Sequence, residues 1–266
     1  MKEVRFLHKL YFIQNHNIIM QRNDYHDSGF IHFENFFGEK ELQEIERVLK
    51  KFHKSWLSAN EKDYKRGSIN SHSITAGDYI SEQERLEVFK FISQEKIREI
   101  ISSIFPAKAV FLNTQLFFDP FNPRQHNYWH RDIQYTGLDI ESQKEKIQQQ
   151  NVVHFRIPFK PELGIELIPG THKSWDLPEE EETRLAENGR TPSDSLERGK
   201  IIPLDRGDLL AFSANMIHRG LYGRNRFSFD IIFCDDSPDF KDFIDPKNQP
   251  DQQEIQVLNS ELFHVR

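Results

Sequence analysis

The sequence has 266 residues, of which 37% are hydrophobic and 29% are charged, and its formal net charge at pH 7 is −7. This length is enough for one large domain with a substantial core or for two small domains, and we expect one. The acidic balance, without a dense Lys/Arg tract, argues against nucleic acid as a partner. The single cysteine, Cys234, excludes an internal disulfide framework and a thiolate metal cluster.

The sequence shows no targeting or membrane segment. Residues 1–20 mix apolar side chains with Lys, His, Gln and Asn, so they lack the uninterrupted apolar region of a signal peptide. Nowhere else do about eighteen apolar residues follow one another, so we expect no membrane span. Together with the low cysteine count, these features favour a soluble cytoplasmic protein.

The N-terminal part of the chain is predicted to be mostly helical. Residues 25–37 alternate around a turn and predict an edge strand. Over residues 39–52, apolar side chains recur every three or four positions, which predicts an amphipathic helix; the same spacing predicts a second helix over residues 82–104, ended by Pro106. Residues 53–80 carry no sustained period and are predicted to be a long loop.

After these helices the apolar period changes from 3.6 to 2, which is typical of β-strands. Clusters of Pro, Gly, Asn and Asp separate eight predicted strands, at residues 109–118, 128–135, 152–159, 164–168, 200–204, 208–213, 217–222 and 227–233. This pattern predicts a mainly β fold whose core is a double-sheet jelly roll of the cupin type. The flanking helices would cover one outer sheet face.

We therefore expect one domain made of three segments. Residues 1–106 form an N-terminal segment with covering helices, residues 107–235 form the jelly-roll core, and residues 236–266 form an extended tail on the surface. A charged stretch at residues 179–199 is either a solvated surface loop or a mobile lid over a site.

A candidate metal site begins with His130 and Asp132. By chance alone, a chain with this many His and Asp residues contains about one His-x-Asp pair, so the pair needs partners elsewhere. A non-haem Fe(II) centre with two histidines and one carboxylate needs three ligands on one face of an octahedron. In an extended segment, residues i and i+2 project to the same side, so one strand end can supply two of them.

The third ligand must come from a distant strand, and His218 is the natural candidate. By itself it is more typical of a core or surface histidine. Arg226 and Ser228 follow on the next predicted strand and share one face, where a guanidinium and a hydroxyl can bind the distal carboxylate of 2-oxoglutarate. The alternative is that Arg226 pairs with Asp230 or with a surface acid.

Several motifs, matched together and in order over residues 25–235, resemble the phytanoyl-CoA dioxygenase family. They are Gly29-Phe30-Ile31 leading through Phe36-Phe37 into a helix, Trp129-His130-Arg131-Asp132, Gly164 followed by Ile168-Pro169-Gly170-Thr171-His172, Gly207-Asp208-Leu209-Leu210-Ala211-Phe212, and His218 with Arg226 beyond it. The resemblance implies an Fe(II)- and 2-oxoglutarate-dependent oxygenase that consumes O2, with a double-stranded β-helix core.

The resemblance also implies roles for single residues. His130, Asp132 and His218 correspond to the iron ligands, and Arg226 with Ser228 corresponds to the anchor of the cosubstrate's distal carboxylate. Two questions stay open. Asn113 or Gln115 either touches the cosubstrate or is only a polar residue that flanks the strand ladder, and Arg224 competes with Arg226 as the anchor, because the loop after His218 is shorter than is usual in the family.

The carboxylate of Asp132 disfavours halogenation, and favours hydroxylation or a related desaturation, cyclisation or epimerisation. We expect a small-molecule substrate, such as an amino acid or a natural-product intermediate, rather than an acyl thioester or lipid. The candidate cavity residues are Trp129, Arg131, Tyr135 and Arg156, with Phe117, His126 and His154 beside them.

A cupin-type isomerase or lyase and an inert binding module are the rival functions. The oligomeric state is not encoded in any motif that we recognise.

Overall fold

The computed structural model describes residues 24–258 and 260–265. The helices are α1 (Glu39–Ala59), α2 (Glu61–Arg66), α3 (Glu82–Ile92), α4 (Glu95–Ile104), α5 (Ile140–Gln149), α6 (Pro178–Leu185) and α7 (Gln252–Leu258), and residues 24–28 are also helical. The strands are β1 (Phe30–Phe33), β2 (Asn70–His72), β3 (Ala109–Phe118), β4 (Val152–Pro158), β5 (Glu162–Leu167), β6 (Lys200–Leu204), β7 (Leu209–Ser213), β8 (His218–Gly220) and β9 (Phe227–Asp235). Within these residues, no helix is both long and apolar enough to cross a bilayer.

The strands form two antiparallel sheets. The major sheet has six strands in the order β1-β7-β4-β9-β3-β2, and the minor sheet has three in the order β6-β5-β8. The chain crosses repeatedly between the two sheets, so that neighbours in space are far apart in sequence. The predicted jelly-roll core with flanking helices is confirmed.

The central strands β4 and β9 are two-faced, because successive side chains of a strand project to opposite sides. One face carries Val153, Phe155, Phe229 and Phe233, which join the apolar face of α1 in the main hydrophobic core. The other face carries polar side chains, among them His154, Arg156, Ser228 and Asp230. The helices therefore cover the apolar side of the major sheet, and the polar side chains of the other side are available to form a site.

The N-terminal region is more helical than predicted. Helix α1 continues to Ala59, and the predicted loop over residues 53–80 contains α2 and β2. The predicted second helix is two helices: α3 begins with a capping box between Ser81 and Glu84, and the chain leaves helical geometry at Gln94 before α4. This break lets the apolar row of α4 turn onto the core, which periodicity alone does not reveal.

The predicted strand over residues 128–135 is wrong for most of its length. Only His130 makes a strand-like bridge, and residues Asp132–Thr136 form a 3-10 helix. Helix α5 follows and was missed because its sequence is strongly polar. The side chain of Asp139 caps this helix by accepting a hydrogen bond of 2.8 Å from the backbone N–H of Ser142.

The C-terminal segment differs from the predicted surface tail. Glu254 in α7 forms an ion pair with the buried Arg85 of α3. Leu262 and Phe263 are each only 7% exposed and belong to the main core. The ring of Phe263 packs edge-on against Phe89 at a centroid distance of 5.3 Å. The last described residues therefore cover part of the core that the helices leave open.

This packing predicts a stability effect. We expect Phe263→Ala to lower the free energy of unfolding by about 3 kcal/mol, because it removes a buried aromatic ring from the core. The matched control Val265→Ala, at a side chain that is 49% exposed, is expected to change it by less than about 0.5 kcal/mol. Urea denaturation followed by circular dichroism measures both. Equal effects of the two substitutions would contradict the packing.

Candidate metal centre

His130 and His218 face each other across an isolated antiparallel bridge. The backbone N–H of His130 donates to the carbonyl of His218 at 3.0 Å, and the N–H of His218 donates to the carbonyl of His130 at 2.9 Å. This pair of bonds fixes the two Cα atoms directly opposite each other. The imidazole rings consequently lie side by side, with centroids 4.3 Å apart.

Asp132 joins these two histidines from the start of the 3-10 helix. Its backbone N–H donates to the carbonyl of Ala214 at 3.1 Å, which ties the turn to the end of β7. Its Oδ1 atom lies 3.5 Å from Nε2 of His130 and 3.6 Å from Nε2 of His218. One ligand atom from each of the three residues lies within 4.8 Å of the other two, so a single ion can bind all three.

Backbone carbonyls set the protonation of both imidazoles. Nδ1 of His130 lies 3.1 Å from the carbonyl of Tyr128, and Nδ1 of His218 lies 2.9 Å from the carbonyl of Met216. Because a carbonyl only accepts, each Nδ1 carries the proton and each Nε2 presents a lone pair toward Asp132. Burial lowers the pKa of both histidines, that of His218 to about 3. Both rings are therefore neutral, as metal ligands must be.

Behind the carboxylate of Asp132, His154 lies between two acids. Its Nε2 is 2.9 Å from Oδ2 of Asp132, and its Nδ1 is 3.1 Å from Oδ2 of Asp230. Burial opposes a charge on this ring, but the bonds to the two carboxylates outweigh burial and raise the pKa of His154 to about 9. Burial likewise disfavours the charge on Asp132, yet the hydrogen bond from His154 holds the pKa of this carboxyl well below its usual range.

These groups open into a cavity of about 350 Å³, which we call the site cavity. Its lining residues are Ile69, Asn70, Gln115, Phe117, Tyr128, His130, Asp132, Tyr135, His154, Arg156, Ile165, Phe212, His218, Gly220, Tyr222 and Arg226. The structure thus brings the three predicted ligands together with Arg226, Gln115, Tyr135 and Arg156. Asn113 and Gln115 were the two candidates for a contact with the cosubstrate, and of these Gln115 lines the cavity. The side-chain oxygen of Asn113 instead accepts a hydrogen bond of 2.7 Å from the backbone N–H of Thr114.

Arg226 lines the site cavity and is only 2% exposed. None of its three guanidinium nitrogens has a hydrogen-bond partner among the described residues. The nearest acid is Glu162, whose Oε2 is 3.7 Å from Nε. Arg224 is exposed and does not line the cavity. A buried guanidinium with unused donors is costly unless an anion satisfies them, so this position fits a carboxylate ligand.

Ser228 shares the buried face with Arg226, as its spacing predicted, but its hydroxyl is already engaged. It donates to Oε2 of Glu162, and both side chains are buried. Glu162 lies in the Lys160-Pro161-Glu162-Leu163 stretch before Gly164, and sequence reasoning gave it no role. No spacing rule relates residues 162 and 228, because the contact spans the two sheets.

Trp129 and Arg131 do not line the site cavity, which corrects their assignment as substrate-binding candidates. The side chain of Trp129 is fully buried, and its indole N–H donates to the carbonyl of Asp194 at 2.9 Å. Arg131 is equally buried and donates to Asp176 at 2.7 Å. Trp129 and Arg131 alternate along the chain with His130 and Asp132. Their side chains therefore project to the opposite side, as neighbouring residues of an extended segment do. They fix the ligand-bearing loop from behind.

The acidic stretch at residues 179–199 contains most of α6 and contributes no lining residue to the site cavity. Arg184 of this stretch lies 2.7 Å from Asp176 outside it, and Arg198 lies 3.0 Å from Glu180 within the stretch itself. The backbone carbonyl of Asp194, also in this stretch, accepts the hydrogen bond from the indole N–H of Trp129. This stretch therefore packs against the back of the ligand-bearing loop.

Comparisons with known proteins bear on the fold and on the family of this chain. No curated protein sequence gives a significant match. HygX from Streptomyces hygroscopicus, with nickel and 2-oxoglutarate bound, has a TM-score of 0.58 at 12% identity, over 80% of this chain and 85% of HygX. SnoN, a non-haem alpha-ketoglutarate-dependent epimerase from nogalamycin biosynthesis, has a TM-score of 0.56 at 11% identity, over 83% of this chain and 82% of SnoN.

EctD from S. alaskensis with bound Fe has a TM-score of 0.54 at 12% identity, over 80% of this chain and 75% of EctD. At such low identity these structures are similar in fold. The sequence model of the family named Phytanoyl-CoA dioxygenase (PhyH) matches residues 25–226, which is most of the chain. The chain therefore belongs to the phytanoyl-CoA dioxygenase family of Fe(II)- and 2-oxoglutarate-dependent oxygenases, as its motifs predicted.

Proposed function

We propose that this protein hydroxylates an unactivated C–H bond of a small molecule, in a reaction that consumes 2-oxoglutarate and O2 and releases succinate and CO2. One oxygen atom of O2 enters the product alcohol, and the other enters succinate. One observation carries the proposal: a single cavity holds two neutral imidazoles, an ionised carboxylate and a buried guanidinium whose donors have no partner among the described residues.

In this proposal His130, Asp132 and His218 hold Fe(II). Two imidazole nitrogens and one carboxylate oxygen are the donor set of facial-triad iron enzymes, which leaves three coordination positions for other ligands. The backbone bonds at each Nδ1 hold the rings in the binding orientation. Asp132 supplies the negative charge, and its presence as the third ligand disfavours the binding of a halide in that position.

Arg226 anchors the distal carboxylate of 2-oxoglutarate. A guanidinium presents a planar fork of donors that matches a carboxylate, and a charge-assisted pair of this kind is strong in a buried site. When bound, iron and 2-oxoglutarate supply the oxidising chemistry through oxidative decarboxylation of the cosubstrate. The protein's own part is to place one substrate C–H bond beside the metal ligands and to keep water away from it.

The outer walls of the site cavity support a largely neutral substrate. Tyr128, Tyr135, Tyr222 and Asn70 contribute hydroxyls, aromatic faces and a carboxamide. Apart from Asp132 and the two arginines, the described lining residues carry no acid, Lys or Arg side chain. We therefore favour an uncharged small molecule, such as a natural-product intermediate, over a free amino acid or an acyl thioester with its phosphates.

The ligand assignment predicts the effect of removing His218. We expect His218→Ala to weaken Fe(II) binding by at least about 100-fold, because one of three ligands is lost. It should also abolish the weak visible charge-transfer band that anaerobic Fe(II) and 2-oxoglutarate give in this type of site. The matched control is His126→Ala, at an exposed histidine in the same loop as His130, which should leave both readouts unchanged. A band retained in His218→Ala would disprove the assignment.

The reaction type predicts a coupled turnover. Incubation with Fe(II), 2-oxoglutarate and O2 should release succinate, and a true substrate should stimulate this release and gain 16 Da by mass spectrometry. We would screen neutral natural-product intermediates, free amino acids, lipids and thioesters in parallel. Conversion of a substrate without O2 or 2-oxoglutarate would instead indicate an isomerase or lyase. Absence of metal binding would indicate an inert binding module.

A further inference from the structure

The spacing predicts Ser228 as a second donor to the distal carboxylate beside Arg226, but the structure places Ser228 poorly for that role. The single hydroxyl proton of Ser228 is directed at Oε2 of Glu162. What remains on the Ser228 oxygen is lone pairs, which cannot bind the oxygens of a second carboxylate. Unless this buried contact is broken, the partner of Arg226 must come from another strand.

Arg156 on β4 meets this requirement. It is 2% exposed and lines the site cavity. Its Nε and Nη2 atoms donate to the two oxygens of Asp230, at 2.9 and 2.8 Å. Its Nη1 atom is buried and has no hydrogen-bond partner among the described residues. The bidentate pair with Asp230 thus fixes the orientation of the guanidinium and leaves its Nη1 atom free to donate to a ligand.

The guanidinium groups of Arg156 and Arg226 lie against the same aromatic ring. Their Cζ atoms are 4.4 and 4.8 Å from the centroid of Phe117. They are close enough that, after burial itself, the charge on Arg156 is the main cause that lowers the pKa of Arg226. Each guanidinium also has at least one buried donor that no described residue satisfies, so an anion beside Phe117 is placed to accept from both.

Arg156 and Gly220, the neighbour of Arg226, are each two residues along their strand from a histidine in or beside the candidate metal centre. Arg156 follows His154 by two residues on the same face of β4, about 6.6 Å along the strand. His154 in turn contacts Asp132. Arg226 lies against Gly220, two residues along β8 from His218; a Cβ atom at residue 220 would be 2.8 Å from its Nη1. The C1 and C5 carbons of 2-oxoglutarate are about 5 Å apart, given C–C bonds of about 1.5 Å.

We propose that Arg156 is a second anchor of the 2-oxoglutarate distal carboxylate, with its Nη1 atom donating to that carboxylate alongside Arg226. Asp230 acts as its positioning residue. This inference rests on the proposed function. It moves Arg156 from the substrate side of the cavity to the cosubstrate side, and it gives Arg156 the role that the spacing predicted for Ser228.

The test compares two 2-oxo acids. The Fe(II) protein is titrated anaerobically with 2-oxoglutarate and with 2-oxobutyrate, which has the same chelating end but no distal carboxylate, and the visible charge-transfer band gives each Kd. The ratio of the two Kd values reports the distal anchor alone, because damage to the metal site affects both acids. We expect Arg156→Lys to reduce the preference for 2-oxoglutarate by about tenfold or more.

Removing Arg156 alone takes away the bidentate partner of the buried Asp230 and leaves it with His154, so Arg156→Gln with Asp230→Asn is the second variant; both charges of the pair are then removed together. We expect the same loss of preference in this variant, and a larger loss in Arg226→Gln. The matched control is Arg124→Gln, at an exposed arginine outside the cavity, which should keep the wild-type ratio. A wild-type ratio in both Arg156 variants would overturn the inference while leaving the proposed function intact. A wild-type protein that binds neither acid would overturn both.

Discussion

The reciprocal backbone hydrogen bonds between His130 and His218 are the constraint on which the site depends. They join a loop after β3 to the first residue of β8, across 88 positions of sequence. Because each N–H and each carbonyl is used, neither histidine can slide without losing both bonds. The imidazole orientation follows, since the carbonyls of Tyr128 and Met216 lie on the same two backbone segments. In the proposed metal site, the positions of the two histidines are therefore set by main-chain pairing.

The second organising feature is the division of the major sheet into an apolar and a charged face. Helix α1 and its neighbours cover the apolar face, which stabilises the sheet enough for the other face to bury charges. Those charges are arranged as partners: Asp132 with His154, His154 with Asp230, and Asp230 with Arg156. Each member satisfies the next, so no charge in this row stands without a partner.

The sequence predicts features that depend on local periodicity. The alternating strands and the amphipathic helix α1 can be read from spacing, whereas the roles of His130, Asp132, His218 and Arg226 follow from the match to the family's motifs. Contacts between distant segments cannot be read from spacing, because spacing carries no information about which strands meet. The bond from Ser228 to Glu162 and the burial of Trp129 belong to this class. The break before α4 and the 3-10 turn at Asp132 were missed for a related reason: tertiary contacts override the local pattern there.

The strand order has a consequence for folding. Strand β9 lies between β3 and β4 in the centre of the major sheet, although it is the last of the described strands along the sequence, and Phe263 packs into the core after it. The major sheet is therefore complete only when strands that are far apart in sequence have paired. Folding is consequently dominated by long-range contacts, which makes it slower than the folding of a helical protein of similar size.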